Sequence, residues 1–167
     1  MMLTLRPPTV RDEAALRAMH EQLAAEDFSF LLAEGTWAWI LAQVRREADG
    51  RDLPAGRVRA DFLVAEVDGI PEGRVSIRHE LTPFLFELGG HVGYAVAPQF
   101  RRRGHATEIL RQSVQRLRVL RVDRVLVTCA DGNAASAATI ERCGGVLEDV
   151  RVPGSGGGAR PRYWIGA

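Results

Sequence analysis

The stretch Phe100-Arg-Arg-Arg-Gly-His-Ala-Thr-Glu-Ile-Leu110 sets three arginines ahead of a run that reads as a helix start. Cations are disfavoured there, because the unpaired N–H groups of a first turn lie at the positive end of the dipole, at ~0.3–1 kcal/mol per exposed charge. A bound anion reverses that sign. Gly104 has no Cβ and Ala106 keeps the turn narrow, so a bulky oxyanion can approach the main-chain amides while Arg101, Arg102 and Arg103 supply counter-charge. The preceding Val92-Gly-Tyr-Ala-Val96 is strand-like, which gives the strand, glycine and helix order of a phosphate site. The segment fits neither G-x-G-x-x-G nor G-x-x-x-x-G-K-[ST], for the chain has no lysine. The plain alternative is a solvated basic turn.

Groups that titrate near neutrality are few. His91, just ahead of this strand, and His79, with Glu80 beside it, are candidates to move a proton, since an unperturbed imidazole titrates near pH 6.5. Cys129 and Cys143 have neither the spacing nor the His/Cys company of a metal site and read as reduced core thiols; no metal is expected.

The elements that must position these residues follow from periodicity. Leu3 to Arg6 is a short strand stopped by Pro7-Pro8, and Leu16, Met19, Leu23 and Ala24 recur at helical spacing within Asp12 to Glu26. A second helix spans Thr36 to Glu47, capped by Thr36. Asp61 to Val67 and Arg74 to Arg78 read as strands joined by a hairpin over Asp68 to Gly73, and Leu85 to Val96 as further strand interrupted by Gly89-Gly90 and Gly93. His105 to Leu120 is an amphipathic helix, Arg124 to Cys129 an apolar strand, and Asn133 to Arg142 a helix closed by Gly144-Gly145. Val146 to Val152 and Arg160 to Ile165 are the last strands, the latter expected at an edge because Pro161 cannot donate to a ladder. The order β-α-α-β-β-β-α-β-α-β-β predicts one α/β domain over 1–167 around a mixed sheet.

Composition narrows the function. At 167 residues the chain suits one core, and 22 cations, all arginine, against 21 acids leave no bulk field of the kind a nucleic-acid or membrane-surface binder shows. No apolar run reaches the ~18 residues of a membrane span, so a cytoplasmic protein is expected.

The pattern Val96-x-Pro98-x-x-Arg101-x-x-Gly104-x-Ala106 resembles the acetyl-CoA signature of the GCN5-related N-acetyltransferases (GNAT), and Asp131-Gly-Asn133-x-x-Ser136 with Ile140-Glu-Arg-Cys-Gly-Gly145 is similar to that family's later helix motif. The resemblance is densest from Gly90 to Gly145. It implies a mostly antiparallel sheet flanked by helices, with the fourth and fifth strands splayed around the thioester arm of acetyl-CoA. Main-chain amides from Arg101 through His105 to Ala106 are then expected to hold the pyrophosphate, those of Tyr94, Ala95 and Val96 to pair with the arm and polarise the acetyl carbonyl, and Asn133 and Ser136 to lie near its far end. His91 occupies the neighbourhood where many relatives carry a basic glutamate. The family's usual acid, a tyrosine four residues after the Ser136 position, is Ile140 here, leaving Tyr94, Tyr163, Thr128 or water to protonate the thiolate. The implied reaction is direct acetyl transfer to a primary amine of a small molecule or peptide; a coenzyme-binding module without turnover is the alternative, and similar proteins commonly dimerise.

Overall fold

A computed structural model describes residues 2–166. Strand β1 (Leu3–Arg6) leads through a 3-10 turn (Val10–Asp12) into α1 (Glu13–Ala24) and α2 (Trp37–Asp49); β2 (Ala60–Val67), β3 (Ile70–Arg78) and β4 (Val92–Val96) follow. Then come α3 (His105–Val119), β5 (Val125–Thr128), α4 (Ala134–Arg142), β6 (Val146–Arg151) and β7 (Arg160–Ile165). The strands form two antiparallel ladders in the orders β1-β2-β3-β4 and β5-β7-β6. Alternation along β2 divides the core. Leu63, Ala65 and Val67 pack with Ile109, Leu110 and Leu117 of α3, while Phe62 and Val64 pack with Leu16, Leu23, Phe30 and Ile40.

Local chemistry accounts for the boundaries. Thr36 caps α2 by accepting from Trp39 N–H at 3.2 Å, and Gly50 ends it at φ 69°. The β2–β3 turn is only Asp68-Gly69, both at positive φ (49° and 82°), the geometry whose twist matches the flanking strands. Strand β3 therefore begins at Ile70, and a register shift at Ala65/Glu66 accommodates Pro71.

Two expectations are corrected. Leu85–Gly89 is a π-helical turn, not strand, and the strand proper is confined to Val92–Val96. Strand β7 is central, not an edge; Pro161 is tolerated because the ladder with β5 starts one residue later, at Arg162 opposite Thr128.

The two ladders meet where β4 passes β5. His91 N–H donates to Leu126 O at 2.8 Å, and Leu126 N–H donates back to His91 Nδ1 at 2.9 Å. Gly90 permits this approach: it holds φ +67°, and a Cβ there would stand 2.7 Å from Leu126 O. Beyond this clasp, no ladder joins β4 to β5 among the described residues.

Candidate functional site

The hydrogen-bond phase of β4 decides what lines the gap. Arg78 N–H donates to His91 O at 2.8 Å and Ala97 N–H to Glu72 O at 2.9 Å, so Gly93 and Ala95 face β3, as do the His91 carbonyl and the Ala97 N–H. Val92, Tyr94 and Val96, between them, turn their main-chain groups toward β5. The Val96 carbonyl accepts from Arg101 Nε at 3.1 Å, which leaves the Tyr94 and Val96 N–H groups facing the opening. Two aimed, unpaired donors on an edge suit an extended ligand or a developing oxyanion.

The α3 start lies just beyond. Gly104 is its N-cap at φ 82°, provides no side-chain cap, and has open space where a Cβ would stand. The amides of the first turn are therefore uncovered. The three arginines divide their work. Arg101 forks onto Glu26 at 3.1 and 2.8 Å, pinning the turn to the end of α1; this bond first, and then its charge, holds the Glu26 carboxyl below its usual range. Arg103 lies over Phe100 at 5.6 Å, and Arg102 is exposed at φ 62°. His105, the first helical residue, turns its ring inward, with Nδ1 2.5 Å from Glu72 Oε2 at an angle unsuited to a hydrogen bond; Glu72 is 5% exposed. A buried carboxylate thus stands behind the first turn, where the dipole favours it. Ala106 packs at the edge of the α3 core.

The opposite wall comes from α4. Asn133 caps that helix by accepting from Ser136 N–H at 3.1 Å, and Ser136 Oγ lies 3.1 Å from the Tyr94 hydroxyl. Tyr94, Asn133 and Ser136 are thereby brought together. Burial, only partly opposed by the Ser136 bond, pushes the Tyr94 pKa up, so the phenol keeps its proton at neutral pH. Ile140 is fully buried in the α3 core. Thr128 is engaged, donating to Leu88 O at 2.7 Å. Burial also raises both cysteine thiols, which suits structural cysteines.

The two histidines do not join this group. His91 is 5% exposed and its Nδ1 is the acceptor for Leu126 N–H, which fixes the neutral ring with its proton on Nε2. Burial and then the charge of Arg78 push its pKa down to about 4. A ring so held ties strands together and is poorly placed to take a proton from an incoming amine. His79 sits on the α3 face with Nε2 3.1 Å from Asp61 Oδ2, whose other neighbour is Arg116. Arg116 is eleven residues along α3 from His105, about 16 Å by helical rise. The pair thus borders the far end of α3.

Sequence reading missed two residues beside the opening, Arg74 and Arg78. Both guanidinium groups overhang Gly93 on the face toward α1 and α2, and Arg74 Nη1 donates to Gly93 O at 2.9 Å. The available signal was their spacing: four apart in a strand puts both on one face, and a strand buried on both sides has little reason to carry two cations there.

Comparison with known proteins bears on the family and the fold. The family model described as an acetyltransferase (GNAT) domain matches residues 2–146. Among curated proteins, none matches the sequence. Mycobacterium smegmatis RimJ in complex with CoA-disulfide superposes with a TM-score of 0.73 at 23% identity, over 99% of this chain and 82% of that one. The microcin C7 self-immunity acetyltransferase MccE, in complex with acetyl-CoA and AMP, gives 0.70 at 18% identity over 99% and 92%. A Vibrio cholerae spermidine N-acetyltransferase SpeG chimera gives 0.69 at 15% identity over 99% and 95%.

Proposed function

Because the chain belongs to the GNAT acetyltransferase family, we propose that it binds acetyl-CoA as co-substrate and moves the acetyl group directly to a primary amine of a small molecule or peptide. The single observation that carries this reading is the opening itself: a strand edge with free Tyr94 and Val96 amides leading to an uncapped, glycine-headed helix start. An arm ending in a diphosphate fits that combination of extended edge and amide-lined turn. Acetyl-CoA supplies an activated acyl carbon and a thiol leaving group.

Each part of the chain then has a stated task. Amides from Arg102 through Arg103, Gly104 and His105 to Ala106 hold the diphosphate; Arg101, expected among them, spends its N–H on Pro98 O at 3.3 Å, and the arginine side chains act mainly through position and field. The Tyr94 and Val96 amides align the arm and stabilise negative charge on the acyl oxygen, an effect worth about 2.7–4 kcal/mol per aimed donor, whereas Ala95, expected to join them, has its main chain paired with β3. The amine nitrogen bonds to the acyl carbon and releases a proton to solvent as the carbon–sulfur bond breaks. The Tyr94 hydroxyl, oriented by Ser136 on the α4 cap set by Asn133, protonates the departing sulfur and is reprotonated from solvent. A phenol from β4 thus performs the proton donation that Ile140 cannot. His91 serves as strand clasp in this scheme, and His79 has no step in it.

Thiol release from acetyl-CoA across an amine panel tests the reading. Tyr94→Phe is expected to lower kcat about 100-fold with coenzyme affinity retained. Coenzyme binding with silence on every amine would favour a coenzyme-binding regulatory module instead.

A further inference from the structure

Arg74 and Arg78 converge beside the middle of β4. A Cβ at Gly93 would lie 3.6 and 3.7 Å from the Nη2 and Nη1 atoms of Arg78 and 3.9 Å from Nη1 of Arg74. Arg74 is 3% exposed and directs its donors to main-chain oxygens, Phe30 at 3.0 Å, Gly93 at 2.9 Å and Ser29 at 2.9 Å, with its guanidinium 4.8 Å from the Phe28 ring centre. It anchors the loop before α2. Arg78 donates through Nη1 to Gly89 O at 3.0 Å and Gly90 O at 3.2 Å, while its Nε and Nη2 find no protein acceptor among the described residues. Arg74 is thus buried and Arg78 half-buried beside it, and no carboxylate reaches ion-pair distance of either one among the described residues.

The surroundings deepen the imbalance. Arg57 and Arg160 both add positive potential at Arg78, and the acid that opposes them is Glu47, itself 3.7 Å from Arg57. Arg160 comes from across the seam, its Nη2 3.4 Å from Thr128 Oγ1 on β5. Burial and the charge of Arg78 push the Arg74 pKa down, to about 9, which still leaves it charged at pH 7. Arg78, half-buried, thus has the buried Arg74 and two further guanidinium groups as neighbours and Glu47 as the opposing acid, an arrangement that an anion from outside would relieve. Beside it opens an apolar cavity of about 280 Å³ lined by Leu31, Trp37, Ile40, Val44, Leu53 and Phe62, with Arg57 and Glu47 also on its wall. The Phe62 ring is shared with the cluster, 5.7 Å from the Arg74 guanidinium.

We propose that the acceptor amine belongs to a molecule that also carries a carboxylate or phosphate next to an apolar group, the anion docking on Arg78 with Arg57 and Arg160 around it. This rests on the acetyltransferase reading above. The same field repels a bare ammonium, so a polyamine is a poor acceptor here, unlike that of the spermidine enzyme sharing the fold.

The test uses the full chain with acetyl-CoA and matched acceptors: phenylalanine against phenylalaninamide, phosphoethanolamine against ethanolamine, and spermidine. The acid-bearing member of at least one pair is expected to exceed its neutral partner in kcat/KM by about tenfold or more, and the pair that does so separates carboxylate from phosphate. Arg78→Gln should raise KM for that acceptor about tenfold and collapse the ratio, with coenzyme A affinity by calorimetry unchanged. Arg160→Gln, whose contacts are fewer, serves the same purpose should Arg78→Gln fail to fold. Equal rates within both pairs, a preference for spermidine, or a ratio unmoved in the folded variants would overturn the proposal. Absence of coenzyme A heat, or of thiol release with every amine, overturns the acetyltransferase reading instead. Calorimetry with N-acetylphenylalanine and with inorganic phosphate then decides the anion site: binding weakened by Arg78→Gln upholds it, and no binding removes it.

Discussion

The two ends of the seam between β4 and β5 are built in opposite ways. At the closed end the missing ladder is replaced piece by piece: the His91 main chain and ring exchange bonds with Leu126, Thr128 Oγ1 holds Leu88 O, and Arg78 gathers Gly89 O and Gly90 O. At the open end the Tyr94 and Val96 amides face space, and the wall across from them is side chain, Ser136 against the Tyr94 hydroxyl. Backbone polar groups are rarely left without partners, so the contrast supports the proposal that the gap, held open from one end, is where a ligand lies. The clasp fixes where separation begins, and the uncapped start of α3 fixes where a ligand's charge belongs.

This contrast can be broken from either side. Gly90→Val should be the most damaging change, because its Cβ would meet Leu126 O at 2.7 Å from a φ of +67°; a loss of about 2–4 kcal/mol in urea unfolding is expected. Gly104→Glu, at the open end, meets nothing within 4 Å and should leave the fold largely intact, with only modest strain from its positive φ. It should nonetheless weaken coenzyme A binding about 100-fold, ~2.7 kcal/mol, by placing a carboxylate where the diphosphate belongs.

His91→Ala should cost about 1–3 kcal/mol through the orphaned Leu126 N–H, and it should also change the pH dependence. The folded ring is held neutral down to about pH 4, whereas the unfolded chain takes up its proton near 6.5. This group's contribution is therefore present above pH 6.5, declines as pH falls toward 4, and changes no further below that. Unfolding measured across this window should show a shallower acid slope in the variant. The smallest effect is expected for Arg101→Ala. Its pair with Glu26 is about half exposed at 42% and 48%, so roughly 0–1 kcal/mol of the loss in thermal unfolding should be erased by salt, and what remains reflects the bond to Val96 O.

How much of this was legible depends on the distance over which each feature is encoded. The α3 start and its uncapped turn are written in adjacent residues, glycine followed by a 3.6-residue stripe, and reading them needs no partner elsewhere. The caps at Thr36 and Asn133 are local in the same sense. His91 shows the limit. Its titration range is a property of the side chain, but its use is set by Leu126, thirty-five residues on, whose main chain occupies the ring. Leu85–Gly89 has strand-like composition, yet it turns to bring Gly90 against Leu126. Arg74 and Arg78 were legible only in part: their spacing puts both on one strand face, but nothing local says that α1, α2 and their loop bury that face.

Whether the open end of the seam receives the coenzyme arm on β4 amides is decided by amide hydrogen exchange of the free and coenzyme-bound protein. Acetyl-CoA should slow exchange at Tyr94 and Val96, while Gly93 and Ala95, already paired with β3, stay protected in both states. Protection unchanged at Tyr94 and Val96 at saturating coenzyme would contradict the account.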